Sequence, residues 1–232
     1  MPTPNLGLST LAQGQAQKEI THNEALLRLD ALVQASVRSR VLATPPPGPA
    51  NGERWIVPPG ASGAWAGQAD RIALWRENAW AFFVPVVGWR VHVEDERLTV
   101  AWTDNAWRDR IIGTANGGAI RLVAIEQELT LTGAFVDATT AVIADRMIVL
   151  AVASRTTQTV TGAASYSVGV AANAGQFGGS LGIAAGSSNV GVIGPTAFYA
   201  NTPVRVTANG GSFTGGRVRV VLYALALAAP SS

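Results

Sequence analysis

The sequence predicts a mainly β protein. An N-terminal helix precedes a small Trp-rich antiparallel β-domain, and a C-terminal antiparallel β-sandwich or jelly roll follows. Three observations predict this. A helical apolar stripe occurs only before residue 40. All seven tryptophans lie between Trp55 and Trp107, among short alternating runs split by Gly, Pro and Asn. From residue 131 to 232, short β-type runs follow one another with fourteen glycines, seven charged residues and no tryptophan. Four zones result: 1–50 (helix and Pro-rich linker), 51–110 (Trp-rich hairpins), 111–130 (connector) and 131–232 (β-sandwich).

In the first zone, Thr21-His22-Asn23-Glu24 has the form of a capping box, in which the Thr21 hydroxyl accepts from the Glu24 amide and the carboxylate reaches back. Ile20 stands before it as a staple. Leu26, Leu29, Val33 and Val37 then recur at three- and four-residue steps, with Leu32 beside them, so one helix face is apolar. Pro45, Pro46, Pro47 and Pro49 forbid helix and force an extended linker. A single stripe must bury against something: its own β-domain, sister copies or a docking partner. Leu26, Leu29, Val33 and Val37 are therefore the candidate attachment or oligomer face.

The second zone holds a repeat. Ile72-Ala73-Leu74-Trp75-Arg76-Glu77-Asn78-Ala79-Trp80 returns 27 residues later as Thr99-Val100-Ala101-Trp102-Thr103-Asp104-Asn105-Ala106-Trp107. Both copies read strand, acidic-Asn turn, strand. Strands are predicted at Glu53–Val57, Ile72–Trp75, Trp80–Val84, Trp89–Val93 and Leu98–Trp102. Along Trp89–Val93 one face is apolar and the other carries Arg90 and His92. An indole buries some 150–250 Å² and can hold together a domain too small to do so with aliphatics. An exposed indole instead stacks on a sugar ring, which makes Trp75 and Trp80 candidate glycan contacts. Core or subunit interface is the favoured role.

Beyond the connector, strands are predicted at Arg146–Ala153, Thr156–Thr161, Tyr166–Ala171, Val204–Ala208 and Arg217–Leu227, with Gly178-Gly179, Gly210-Gly211 and Gly215-Gly216 at sharp turns or bulges. A domain so poor in charge is hard to keep soluble alone, so association of several copies is expected. Phe198, Tyr199, Asn201, Asn209 and Phe213 fall in Gly- and Asn-rich stretches, where aromatic and amide groups can bind glycan. Ordinary loop chemistry accounts for the same pattern.

Composition narrows the function. Net charge is +2, and the sixteen arginines and single lysine, Lys18, are scattered, whereas a polyanion-binding surface clusters them. Nucleic acid is therefore not expected as a partner. No apolar run approaches the ~20 residues of a membrane-spanning helix, so no membrane insertion is expected, and the N-terminus shows no signal-peptide pattern. There are no cysteines, and His22 and His92 lack metal-ligand spacing, so neither metal nor cofactor is expected. No Gly-x-Ser-x-Gly elbow or phosphate-cradling loop is present. The dense acidic cluster Glu94-Asp95-Glu96 could serve glycoside hydrolysis together with Asp104, but three acids between two strands are most simply a solvated turn. A non-enzymatic protein is expected.

The run from Ala12-Gln13-Gly14-Gln15-Ala16-Gln17-Lys18 through Thr21-His22-Asn23-Glu24-Ala25-Leu26 resembles the opening of an uncharacterised domain of alphaproteobacterial prophage fibres and gene transfer agents. The resemblance continues through Gly52-Glu53-Arg54-Trp55, Gly63-Ala64-Trp65, Trp80-Ala81-Phe82-Phe83, Gly88-Trp89 and the Trp102/Trp107 hairpin, over roughly residues 6–108. Gly194-Pro195-Thr196-Ala197-Phe198-Tyr199 and Thr207-Ala208-Asn209-Gly210-Gly211 are similar to tails of such proteins. The resemblance implies a trimeric spike or fibre, made in the bacterial cytoplasm and released on lysis within a virion-like particle. Its N-terminal part would be held by capsid or tail proteins, and its C-terminal part would contact host polysaccharide. No catalytic residues are carried over. The chain is short for a tail fibre and lacks long fibrous repeats, which favours a compact spike. A capsule depolymerase and a purely structural adaptor are the alternatives.

Overall fold

The computed structural model describes Thr3, Leu8 and residues 18–230. Strand makes up 54% of the chain and helix 7%, so the mainly β class holds. The chain divides into two compact units, Met1–Asp109 and Arg110–Ser232. The helix, the Pro-rich segment and the Trp zone thus fall in one unit, and residues 111–130 belong to the other.

In the first unit, α1 spans Lys18–Leu32. Thr21 therefore sits inside the first turn and is not the cap, because Lys18 and Glu19, good helix formers, extend the helix upstream. The side chains of Ile20 and Thr21 and the motif residues Ala12–Gln17 lie outside the described residues. The helix stops earlier than its stripe suggests. Gln34 takes a left-handed φ of 49°, ending the helix in the manner of a C′ residue. Val37 accordingly lies in the short strand β1 (Ser36–Val37), fully buried and parallel to β5 (Arg90–Val93). The helix end is held by Arg54, buried at 8% exposure, whose Nη1 donates to the carbonyls of Asp30 (3.3 Å) and Ala31 (2.9 Å). A cation there answers both the orphan carbonyls and the negative end of the helix dipole. Asp30, itself buried, accepts from the Thr3 hydroxyl at 2.6 Å.

The remaining strands are β2 (Arg54–Ile56), β3 (Ile72–Arg76), β4 (Ala79–Phe83), β6 (Leu98–Thr103) and β7 (Ala106–Arg108). They form a sheet β2-β3-β4 and a sheet β1-β5-β6-β7. The repeat is larger than the hairpin phrase. In both copies a third strand starts two residues after a glycine with nearly the same φ, 93° at Gly52 and 94° at Gly88. Each glycine N–H donates to the first hairpin tryptophan, Gly52 to Trp75 and Gly88 to Trp102. Each of these tryptophans then donates to the residue after the glycine, Glu53 or Trp89. Two three-stranded meanders result, β2-β3-β4 and β5-β6-β7. The Pro-rich segment is folded within the unit: Ser62 N–H donates to Ala43, and Pro45 lies against Gly63.

The second unit contains β8 (Ile112–Gly113), β9 (Ala119–Thr130), β10 (Phe135–Ile143), β11 (Ile148–Thr161), β12 (Ser165–Val170), β13 (Asn173–Leu181), β14 (Ser188–Ala197), β15 (Thr202–Asn209) and β16 (Gly215–Ala228). The two runs expected at 146–153 and 156–161 merge into β11, which stays continuous through register shifts after Val149 and Thr156. The expected connector is itself β8 and β9, paired antiparallel. The sheets are ordered β14-β11-β16-β9-β8 and β10-β15-β12-β13. Counting β9 to β16 as one to eight, the orders are six-three-eight-one and two-seven-four-five, the winding of a jelly roll. Val218, Val220, Leu222 and Ala224 of β16 meet Tyr166, Val168, Val204 and Val206 of the other sheet in one buried core.

Two clasps close the edges of this sandwich. Residues of β10 between Asp137 and Val142 leave the ladder, and the Gln127 side-chain oxygen Oε1 accepts the freed amides of Thr140 (2.7 Å) and Ala141 (3.0 Å). At the other edge Asn189 Nδ2 donates to the Phe177 carbonyl at 2.8 Å. Gly191 packs so closely on that same carbonyl that a Cβ has no room.

Candidate functional site

The tryptophans are structural. Glu77 and Asn78 (φ 49° and 63°) and Asp104 and Asn105 (φ 50° and 52°) both form two-residue turns with positive φ throughout, the type I′ geometry that suits hairpin twist and favours Asn. Each turn sets a tryptophan pair directly across the ladder, Trp75 opposite Trp80 and Trp102 opposite Trp107. These are non-hydrogen-bonded positions, where side chains approach closest. The rings meet edge to face at 4.9 and 5.5 Å. Trp80 also meets Trp55 at 5.5 Å and Trp65 at 5.1 Å. Three indoles thus pack around Trp80, and both it and Trp75 are half-buried. Trp107 is buried and its Nε1 donates to the Asp70 carbonyl at 2.8 Å.

Glu94 and Glu96 of the acidic turn between β5 and β6 are each paired with an arginine. Glu94 accepts from the Ser36 hydroxyl at 2.6 Å and from Arg38 Nη1 at 2.8 Å. Glu96 takes a two-pronged contact from Arg40, with both distances 2.7 Å. The Ser36 hydrogen bond, followed by Arg38, holds the Glu94 carboxyl below its ordinary value, so it stays ionised. A general acid needs the opposite shift. His92 lies on the exposed face of β5, alternating with buried Val91 and Val93. Among the described residues, no three His, Asp or Glu side chains come together in a way that could hold a metal ion.

Of the helix stripe, Leu26 is half-buried, while Leu29 (51%) and Val33 (44%) face outward. Leu32 and Val33 rim a groove of about 300 Å³ with Ala35, Ile72, Trp89, Arg90 and Val91. Val37 is no part of this face, being in the core.

In the jelly roll, the nominated residues separate. Phe213 is buried at 3% exposure and exchanges backbone hydrogen bonds with Gly133, so it is a core side chain. Asn209 is tied to β12: its Nδ2 donates to Ser167 (2.9 Å) and Ser165 (3.2 Å), and its Oδ1 accepts from Ser167. Tyr199 and Asn201 lie at the other end of β15, about 26 Å away for eight residues of strand.

That second end has the geometry of a platform. The turn 144–147 and the loop 198–201 are stitched together: Arg146 N–H donates to Phe198 (2.7 Å), and Phe198 N–H donates to Met147 (3.0 Å). Asp145 N–H donates to the Asn201 side chain (3.0 Å). Met147 is buried and Phe198 packs on the core, which pins both loops. On this base Tyr199 stands 82% exposed. The Arg146 side chain is equally exposed and 3.6 Å from Asp145. Arg146 holds a left-handed φ of 62°, a conformation that costs a side-chain-bearing residue on the order of 1 kcal/mol or more. An exposed ring on one loop and an exposed guanidinium and carboxylate on the other are thus carried by two turns joined through backbone hydrogen bonds. Such a set can stack on one face of a sugar ring while donating to and accepting from its hydroxyls. Asn201 is the part that supports the platform. Asp145 and Arg146 carried no sequence signal, because only the fold brings their turn to Tyr199.

Comparison with known proteins divides the chain at the boundary between the units. Residues 22–108 match the family described as "Protein of unknown function (DUF2793)". Residues 112–214 match the family described as "Hemagglutinin repeat". Among curated proteins none matches the chain. Among solved structures, the chain is similar to one in the capsid asymmetric unit of cyanophage Pam1, at 21% identity and a TM-score of 0.36, over 51% of this chain and 92% of that one.

Proposed function

We propose that this chain is a structural spike or fibre protein of a phage-like particle, a gene transfer agent or prophage. The first unit attaches it to capsid or tail proteins, and the jelly roll binds host cell-surface polysaccharide. The protein assembles as a homo-oligomer, with three copies implied by the family it resembles, and acts without catalysis or cofactor. It is made in the bacterial cytoplasm and leaves on lysis with the particle. The observation that carries the adhesive reading is the exposed Tyr199–Arg146–Asp145 platform at one end of a jelly roll, an architecture used by viral capsid and lectin domains. The motif run of the first unit supports the particle assignment, and the name of the hemagglutinin repeat family supports adhesion.

The test is incubation of the full chain with purified host capsular polysaccharide, reading both retention and new reducing ends. Saturable retention without new reducing ends is expected. Folded protein that is not retained removes the adhesive role and leaves a structural adaptor. New reducing ends that vanish with Glu94→Gln make the protein a depolymerase.

A further inference from the structure

The two sheets of the jelly roll turn unlike faces outward. On β10-β15-β12-β13 the outward residues are mostly polar: Asp137 and Arg205 form a two-pronged pair at 2.7 Å, Arg205 also covers the Phe135 ring at 3.8 Å, and Ser165, Ser167 and Asn209 form the network described above. This is what an antiparallel sheet shows toward water. The other sheet breaks the rule. Its inward positions on β16 are Val218, Val220, Leu222 and Ala224, so Val221, Tyr223, Leu225 and Leu227 point away from the core.

The register aligns Tyr223, Leu225 and Leu227 with apolar neighbours, while Val221 lies between Glu126 and Ala153. Tyr223 lies between Ala124 of β9 and Ala151 of β11, and Ala151 is paired in turn with Val192 of β14. Leu225 pairs with Leu122 and with Ile148. Val192 is 74% exposed, Val190 66%, Leu122 62%, Ile112 60% and Leu227 54%. One sheet face therefore holds most of the large exposed apolar side chains described in this unit.

We infer that the outward face of β14-β11-β16-β9-β8 is the surface on which a second copy of this chain packs. The inference rests on the homo-oligomer of the proposed function and names its contact. Size supports it. Its strands β8, β9, β16, β11 and β14 hold 2, 12, 14, 14 and 10 residues, which at ~3.3 Å along and ~4.8 Å across a strand give a face of about 800 Å². A standard interface takes about 800 Å² from each partner.

Charge selects the occupant. The far end of the face carries both signs, with Arg219 3.1 Å from Glu128 and Arg217 3.5 Å from the same carboxylate. Arg217 and Arg219 are paired there with Glu128 and Glu126, which leaves Arg155 beside Arg219 in the register, so the face calls for neither a strongly acidic nor a strongly basic partner. A weakly charged apolar sheet with small residues at its centre (Ala124, Ala151, Ala153) fits an apolar surface of a neighbouring copy, which is always present in equal amount.

The absence of cysteine from the chain permits a clean test with the full-length protein. Light scattering gives the mass of the wild type, of Val192→Glu and of Leu122→Glu. Maleimide labelling compares Val192→Cys with Ala172→Cys, a control on the exposed turn between β12 and β13. The expected result is a multimeric wild type whose mass falls to that of one chain in both Glu variants, with the far-UV spectrum kept. Val192→Cys labels at least tenfold more slowly than Ala172→Cys. A monomeric wild type overturns the homo-oligomer itself, and this inference with it. A multimer in which Val192→Cys labels as fast as the control overturns the assigned face and leaves the homo-oligomer standing. Because the labelling arm uses a near-isosteric substitution, it decides the matter even if the Glu variants fail to fold.

Discussion

At the scale of single residues, the first unit depends on a few charged side chains whose partners the fold supplies. Arg54 joins the end of α1 to β2 through two carbonyls, and burial lowers its pKa without discharging it. Arg54→Met keeps the apolar stem but leaves those carbonyls unpaired in a buried place. A loss of about 2–3 kcal/mol in urea unfolding is expected. A change within experimental scatter would mean that the helix end is held by packing alone. Glu94 provides a pH signature. Its carboxyl is held below the ordinary value by Ser36 and Arg38, so its stabilising contribution is complete above the unfolded value of about 4.5 and is lost as pH falls through the lower folded value. Melting temperature measured from pH 7 downward should therefore drop below about pH 4.5, and Glu94→Gln should flatten that drop. An unchanged slope in the variant would show that other carboxylates carry it.

Among the elements, the hairpins were the most legible part of the chain and the jelly-roll edges the least. A strand, an acidic residue, Asn and a second strand specify a type I′ hairpin almost by themselves, and both copies form it. Asn78→Ala and Asn105→Ala put alanine at a positive φ and should each cost about 1 kcal/mol, while the glycine variants should cost little. Equal losses for alanine and glycine in chemical denaturation would point to the Asn side chains and not the backbone. The end of α1 was not legible, because Gln34 lacks the Gly or Asn that usually marks a left-handed stop, and Val37 keeps the helical spacing while belonging to a strand. The strands β10, β13 and β14 were missed for a different reason. Asn173-Ala174-Gly175-Gln176-Phe177-Gly178-Gly179 has little β-propensity, and its conformation is dictated by the neighbouring edge, where Asn189 and Gly191 meet Phe177. The candidate site divides the same way. Tyr199 and Asn201 were visible as an aromatic and an amide in a loop. Asp145 and Arg146 joined them only through the antiparallel pairing of β11 with β14, which sets Ile148 opposite Ala197, and nothing short of that topology separates Asn209 and Phe213 as structural.

For the molecule as a whole, the two units divide labour along their composition. The Trp-rich unit uses its indoles inward, on a duplicated meander, and leaves Leu29 and Val33 of α1 outward. The charge-poor unit is a jelly roll with three distinct surfaces: a polar sheet, an apolar sheet and an end bearing Tyr199. The central claim is that this end takes up polysaccharide. The most direct measurement is the affinity of the full-length protein for host capsular polysaccharide, by biolayer interferometry, for the wild type, Tyr199→Ala, Arg146→Ala and Asn209→Ala. The first two variants should weaken binding at least tenfold with melting temperatures unchanged, since both side chains are exposed at 82%. Asn209→Ala should lower stability and leave the affinity of the folded protein intact. Undiminished binding by the Tyr199→Ala, Arg146→Ala double variant would contradict the account.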